Sequence, residues 1–212
     1  MRLTADGVPV ICHDSRLTRT TDGRGLVSRL PFAAVRRCDA GGKFDPRFAG
    51  EKIPTLDETL VLAGELGLGV NIEIKADRGL AGATAAAVAD SVRRLGRQPP
   101  GVLVSSFIIE ALVAMRALAS DVATGLLARR LPRPWAELAA RLGCAAVHLD
   151  QSGLSPERVA TLRAAGYRVL AYTVNDPVRA RHLFAWGVTS VFSDKPDIIL
   201  ASAAMSRQGV AG

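Results

Sequence analysis

From Thr55 onward the chain alternates between short apolar runs and helix-like stretches with a regularity that points to parallel βα architecture. Thr55-Leu-Asp-Glu58 is a capping box, and the apolar-periodic helix it opens is predicted to end near Gly67. "VNIEIK" (Val70 to Lys75) reads as a strand, and the alanine-rich run from about Leu80 to Leu95 as a helix. "VLVSSF" (Val102 to Phe107) is a strand, followed by a helix through Met115 to Leu118. A strand from Val122, "VATGLLA", precedes a helix over Trp135 to Leu142. "AAVHLD" (Ala145 to Asp150) is a strand, and Ser155-Pro156 supplies an N-cap and a first-turn proline to the next helix. "YRVLAYTV" (Tyr167 to Val174) leads to a helix opened by Asp176-Pro177. The last strand is "VTSVFS" (Val188 to Ser193), with a helix from Pro196 to Ala204 and a frayed tail, "SRQGVAG". That makes six strand-helix units in succession.

Ahead of them, "MRLTADGVPVI" has a strand-turn-strand pattern around an Asp-Gly pair favoured in tight hairpins. The stretch after it, at about residues 14–55, lacks periodicity. Its Gly-Pro-rich part, "DAGGKFDPRFAGEKIP", looks like an irregular insertion and not a linker between domains. With 212 residues, 49% of them hydrophobic, the chain suits one globular domain.

An open doubly wound sheet and a closed (β/α)8 barrel both satisfy the alternation, and the polar strand ends lean toward the barrel. Along Val70 to Lys75, Asn71, Glu73 and Lys75 share one face while Val70, Ile72 and Ile74 share the other. A central strand seldom buries a carboxylate and an ammonium without purpose. In a barrel they would point inward near the C-terminal rim, where chemistry sits. Glu73 suits a hard cation such as magnesium or calcium, and Lys75 an anionic oxygen. The alternative for the pair is a buried ion pair that only orders the interior.

Other strand ends offer Ser105, Ser106 and Phe107, then His148 with Asp150 on a shared face, then Thr173 and Asn175. A substrate-lining role is weighed for His148 and Asp150. Asn175 or Asp176 reads as a helix cap, Asp194 as a cap more than a catalyst, and His182, mid-helix, as structural. His13, followed by Asp14, is a candidate general acid or base titrating near neutrality.

Charge and cysteines narrow the field. The net charge is +7, but the basic residues never run together beyond pairs such as Arg36-Arg37 and Arg129-Arg130, and arginine far outnumbers lysine. That pattern argues for a high-GC coding bias, and no nucleic-acid partner is expected. Cys12, Cys38 and Cys144 fit neither a disulfide framework nor a zinc spacing and read as ordinary thiols. No apolar run is long enough to span a bilayer, so no stable membrane insertion is expected, and a cytoplasmic location is the working expectation.

Taken in order, "RLTADGVPVICHDSRLTRTTDGRG", "IPTLDETL", "NIEIK", "AYTVNDP" and "GVTSVFSDKPD" resemble the glycerophosphodiester phosphodiesterases over nearly the whole chain. The resemblance implies a (β/α)8 barrel with a small insertion after the second strand. It implies a divalent cation and hydrolysis of glycerophosphodiesters to sn-glycerol 3-phosphate and an alcohol. It places His13 at the second catalytic histidine, Glu73 at a metal ligand and Lys75 at a phosphate contact. Phe107 and Tyr172 fall at substrate-contacting positions, Tyr172 where the family often has tryptophan.

The front departs from the family pattern. A strand ending in His-Arg-Gly, a helix, and a Glu-x-Asp opening the second strand have no counterpart here. Met1 stands where a residue commonly valine follows that Asp, and GTG encodes valine internally but methionine at initiation. The sequence thus predicts a start assigned too late by about one βα unit, and a chain that is inactive as given. A decayed or non-catalytic member is the alternative, as is a barrel phosphodiesterase of the phosphatidylinositol-specific phospholipase C type.

Overall fold

The computed structural model describes residues 1–95 and 97–208. Two compact units divide between Thr124 and Gly125.

The first unit opens with a hairpin, β1 (Arg2–Leu3) and β2 (Pro9–Val10), antiparallel with Arg2 opposite Val10. Its turn depends on Gly7, whose φ of +80° a side chain would oppose. The Thr4 hydroxyl donates to the Asp6 carboxylate at 2.6 Å and accepts from the Val8 amide at 2.9 Å. Residues 11–54 then run through three 3-10 turns, Leu17–Arg19, Val27–Arg29 and Pro46–Phe48, and one short helix, α1 (Phe32–Arg37). This irregular stretch has an apolar centre of its own, in which Val10, Cys12, Leu17, Val27, Val35 and Ile53 are buried.

The regular repeat follows. Thr55 caps α2 (Leu56–Glu65) through the capping box read from the sequence, its hydroxyl accepting from the Glu58 amide and the Glu58 carboxylate accepting from the Thr55 amide. Next come β3 (Val70–Glu73), α3 (Ala81–Leu95), β4 (Val102–Ser106) and α4 (Ile109–Leu118). Strands β3 and β4 pair in parallel from Val70 opposite Val102 to Glu73 opposite Ser105. Alternation sets the layers. Ile72 and Ile74 are buried with Leu56 and Leu60 of α2 and Ala85, Val88 and Ala89 of α3, leaving Glu73 and Lys75 to the other face. The strand itself ends at Glu73 and not at Lys75 as predicted, although the Ile74 amide still donates to the Ser105 carbonyl at 2.8 Å.

The second unit takes up within β5 (Ala123–Ala128), at Gly125, and continues through α5 (Trp135–Arg141), β6 (Ala146–Asp150), α6 (Pro156–Ala164) and β7 (Arg168–Tyr172). It closes with α7 (Pro177–Ala185), β8 (Ser190–Val191) and α8 (Pro196–Gln208). Its strands pair in parallel in chain order, β5 with β6, β6 with β7 and β7 with β8. Ser155 and Asp176 cap α6 and α7 by accepting from the Arg158 and Val178 amides. A separate core holds Val147, Leu149, Val159, Leu162, Val169 and Leu183.

Two sequence expectations are corrected at the C-terminal end. The last strand is two residues long: Val188 before it donates its amide to the Leu183 carbonyl, and Ser193 and Asp194 after it donate to the Asn175 side chain. The tail expected to fray is helical through Gln208, and residues 209–212 of it lie outside the described residues. Among the described residues no helix is long and apolar enough to cross a membrane. Cys12 and Cys144 are buried, Cys38 is half-buried, and all three are free thiols.

Candidate active site

The site is assembled where the irregular stretch meets the ends of β3 and β4, within the first unit. A cleft of about 570 Å³ there is lined by His13, Asp14, Glu73, Lys75 and Phe107, together with Arg2. Four of the five residues to which the family resemblance gives a role, His13, Glu73, Lys75 and Phe107, therefore share one cavity. Tyr172 is the fifth and belongs to the second unit, at the end of β7, where its hydroxyl donates to the Ala128 carbonyl at 3.1 Å.

Glu73 and Lys75 face each other. The Lys75 ammonium lies 2.7 Å from Glu73 Oε1, with the two side chains only 20% and 25% exposed. Strand pleating puts them on one side of β3, and two neighbours hold the strand end. The Lys75 amide donates to the Met1 carbonyl at 3.0 Å. The Ser106 hydroxyl donates to the Ile74 carbonyl at 2.8 Å while accepting from the Ile108 amide, tying the end of β3 to the start of α4.

His13 projects into solvent at the cleft, its side chain 69% exposed. Its Nδ1 lies 2.8 Å from Asp14 Oδ1, and Arg19 grips the same carboxylate through Nε and, at 2.9 Å, through Nη2. The hydrogen bond from Arg19, with that from His13 second, holds the Asp14 carboxyl well below the usual carboxylate range. Asp14 thus stays ionised at any working pH and favours the imidazole tautomer with its proton on Nδ1. Nε2 is left to accept or deliver a proton.

Sequence reading missed the parts that hold this arrangement. Arg2 donates to the carbonyls of both His13 and Lys75 at 3.2 Å and is anchored by Asp77 at 2.9 Å. Asp77 in turn accepts from the Ser28 hydroxyl at 2.5 Å. One guanidinium therefore joins the histidine loop to the lysine strand. Neither Arg2–Asp77 nor Asp14–Arg19 has a spacing that marks a motif, because both partners meet through irregular chain. The His-Asp dipeptide was the one visible signal.

The substrate-lining role weighed for His148 and Asp150 at β6 does not hold. His148 is fully buried, neither ring nitrogen has a protein partner, and the ring packs 5.4 Å from that of Phe192. Gly125 admits it, since a Cβ there would fall 2.6 Å from His148 Nε2. Asp150 turns away into a local loop, accepting from the amide and hydroxyl of Ser152. Burial pushes the His148 imidazole down to about 4, below its ordinary value near 6.5. Because the folded-state value lies below the unfolded one, stability is complete above about pH 6.5 and is lost as pH falls toward 4. Urea unfolding should show a loss of about 3 kcal/mol over that window. His148→Phe should remove that component of the pH dependence, and an unchanged slope in the variant would contradict the assignment.

A cation site is less complete. Among the described residues no three His, Cys, Asp or Glu side chains come together as metal ligands. Glu73 is engaged with Lys75, and Asp14 with Arg19 and His13. One carboxylate does not fill the shell of a six- to eight-coordinate hard cation. These residues alone therefore do not fit a complete metal site, and no chemical step is drawn through one. The Asp194 carboxylate accepts from the Asn175 side chain at 3.0 Å.

Comparisons with known proteins identify the family. Residues 1–198 match the model of the glycerophosphoryl diester phosphodiesterase family. A glycerophosphodiester phosphodiesterase of Caldanaerobacter subterraneus subsp. tengcongensis is 30% identical over 94% of this chain and 82% of its own length. One from Bacillus subtilis is also 30% identical, over 93% of this chain and 73% of its own. Among solved structures, an Oleispira antarctica phosphodiesterase in complex with the product sn-glycerol-3-phosphate superposes with a TM-score of 0.93. It is 38% identical, and the match covers 96% of this chain and 82% of that one. The fold class is accordingly the α/β barrel of strand-helix units. The chain belongs to the glycerophosphoryl diester phosphodiesterase family.

Proposed function

We propose that this cleft serves the hydrolysis of glycerophosphodiesters to sn-glycerol 3-phosphate and an alcohol, in the cytoplasm. The observation that carries the reading is one cavity shared by a histidine oriented through Asp14 and the ammonium of Lys75. An oriented imidazole moves a proton to or from the reacting oxygens, and a fixed ammonium stabilises negative charge that grows on the phosphoryl oxygens. In this reading His13 Nε2 exchanges a proton with the attacking or the leaving oxygen. Lys75 meets a non-bridging phosphoryl oxygen, exchanging part of its interaction with Glu73 for the anion. Phe107, 45% exposed at the cleft, offers an apolar wall to the glycerol or the alcohol.

Glycerophosphodiester phosphodiesterases are generally metal-dependent. Glu73 is the carboxylate this chain contributes toward a divalent cation, magnesium or calcium. With so few donors, cation binding by the 212-residue chain should be weak, with a Kd above about 1 mM. Glu73→Gln should abolish it in a calorimetric titration, and micromolar binding would refute this account of the donor set. The same shortage is what favours a second reading, a member that holds phosphodiesters without cleaving them.

The decisive experiment uses the full-length gene product. Glycerophosphocholine is supplied with magnesium or calcium, and sn-glycerol 3-phosphate is measured by a coupled assay. Release that stops on chelation is the expected result. Binding of the product without release would support the non-catalytic reading. Release of an inositol phosphate from phosphatidylinositol instead would overturn both.

A further inference from the structure

We propose a second anion site in the second unit, built for a phosphate ester that carries an apolar group. It lies at the C-terminal ends of β5 and β6, where a cavity of about 770 Å³ is lined by Arg130, Arg133 and Arg158. Its apolar wall includes Leu131, the half-buried ring of Trp135 and the buried Leu154.

Charge distribution supports the assignment. The stretch 125–212 holds eleven basic residues against six acidic ones, so it accounts for five of the seven excess positive charges. In the first unit Arg2, Arg19, Arg36, Arg47, Arg93 and Arg94 each meet a carboxylate. The cavity arginines do not. Arg158 gives one hydrogen bond to the Gly153 carbonyl at 2.7 Å, and among the described residues Arg130 and Arg133 have neither an ion pair nor a hydrogen bond. No carboxylate lines the cavity. The nearby acids are directed elsewhere, Asp150 to Ser152 and Glu157 to Ser155.

Three like charges around one concavity repel one another, and an anion relieves that repulsion. Guanidinium groups match phosphate through paired N–H donors. Trp135 is held edge-on to Tyr167 with ring centroids 5.8 Å apart, which leaves it a fixed apolar platform. A bare phosphate would use the arginines alone, whereas an ester with an aryl or alkyl group would use both parts. The ester can be a free metabolite or the headgroup of an anionic lipid.

The probes are inorganic phosphate, phenyl phosphate, phosphatidylglycerol vesicles and a DNA duplex. Trp135 fluorescence is read in a Trp186→Phe background, and every titration is repeated with Lys75→Met so that binding in the first-unit cleft is separated. Phenyl phosphate should saturate with a Kd of about 1 mM or tighter, and inorganic phosphate should bind more weakly. Arg130→Ala and Arg133→Ala should each weaken phenyl phosphate about tenfold without moving the melting temperature. Vesicle binding lost in the same two variants assigns the ester to a lipid headgroup; indifference to vesicles assigns it to a soluble molecule. The proposal is overturned if phenyl phosphate fails to saturate, if either arginine variant binds it normally, or if only DNA binds.

Discussion

Replacing His13 with alanine is expected to lower the rate of glycerophosphodiester hydrolysis by about a hundredfold to ten-thousandfold, the range of positioned proton transfer. The melting temperature should hardly move. The imidazole is mostly in solvent, and its one polar contact is with Asp14, which keeps both bonds to Arg19 when the ring is gone. Loss of activity with intact folding is therefore a statement about proton transfer and not about packing. Asp14→Asn sharpens the test. It leaves the histidine present but removes the carboxylate that orients it, so kcat should fall by less than in His13→Ala while KM stays close to its starting value. If His13→Ala retained a tenth or more of the activity in the gene product, the imidazole would not be the proton carrier.

The second large effect is a pair with opposite signs. Lys75→Met should weaken sn-glycerol 3-phosphate binding by about ten- to a hundredfold, since it removes a charge-assisted contact from a mostly enclosed position. Glu73→Gln should do the reverse for inorganic phosphate without added cation, tightening it about three- to tenfold. It releases the ammonium from the carboxylate 2.7 Å away. Catalysis should nevertheless fall in both variants. Isothermal titration with phosphate, read beside turnover, separates this arrangement from an ion pair that merely orders the strand. In that alternative, both substitutions would destabilise the fold and neither would change anion affinity.

The contrast between what could and could not be read from residue order has a physical basis. Helix starts at Thr55, Ser155 and Asp176 were visible because each is a local contract between a side chain and an amide two or three residues on. The facing of Glu73 and Lys75 was visible because a strand has a period of two. That same period misled at His148. Alternation tells which residues share a face, but not whether the face meets solvent or core, and a glycine at position 125 decided the matter from a neighbouring strand. The supports of the site were hidden for another reason. Arg2 reaches Asp77, and Ser28 reaches the same carboxylate, across 75 and 49 positions of chain. Contacts of that kind exist only once the fold has brought them together, and no window of sequence contains them.

His13 lies three residues past the end of β2 and heads a stretch that packs around its own small apolar centre. In the proposed reading the proton carrier and the anion-holding lysine thus ride on two pieces with different apolar centres, bridged at the rim by the Arg2 guanidinium. Such a division predicts that the histidine-bearing stretch tolerates changes of length or composition that leave the strand end with Glu73 and Lys75 in place.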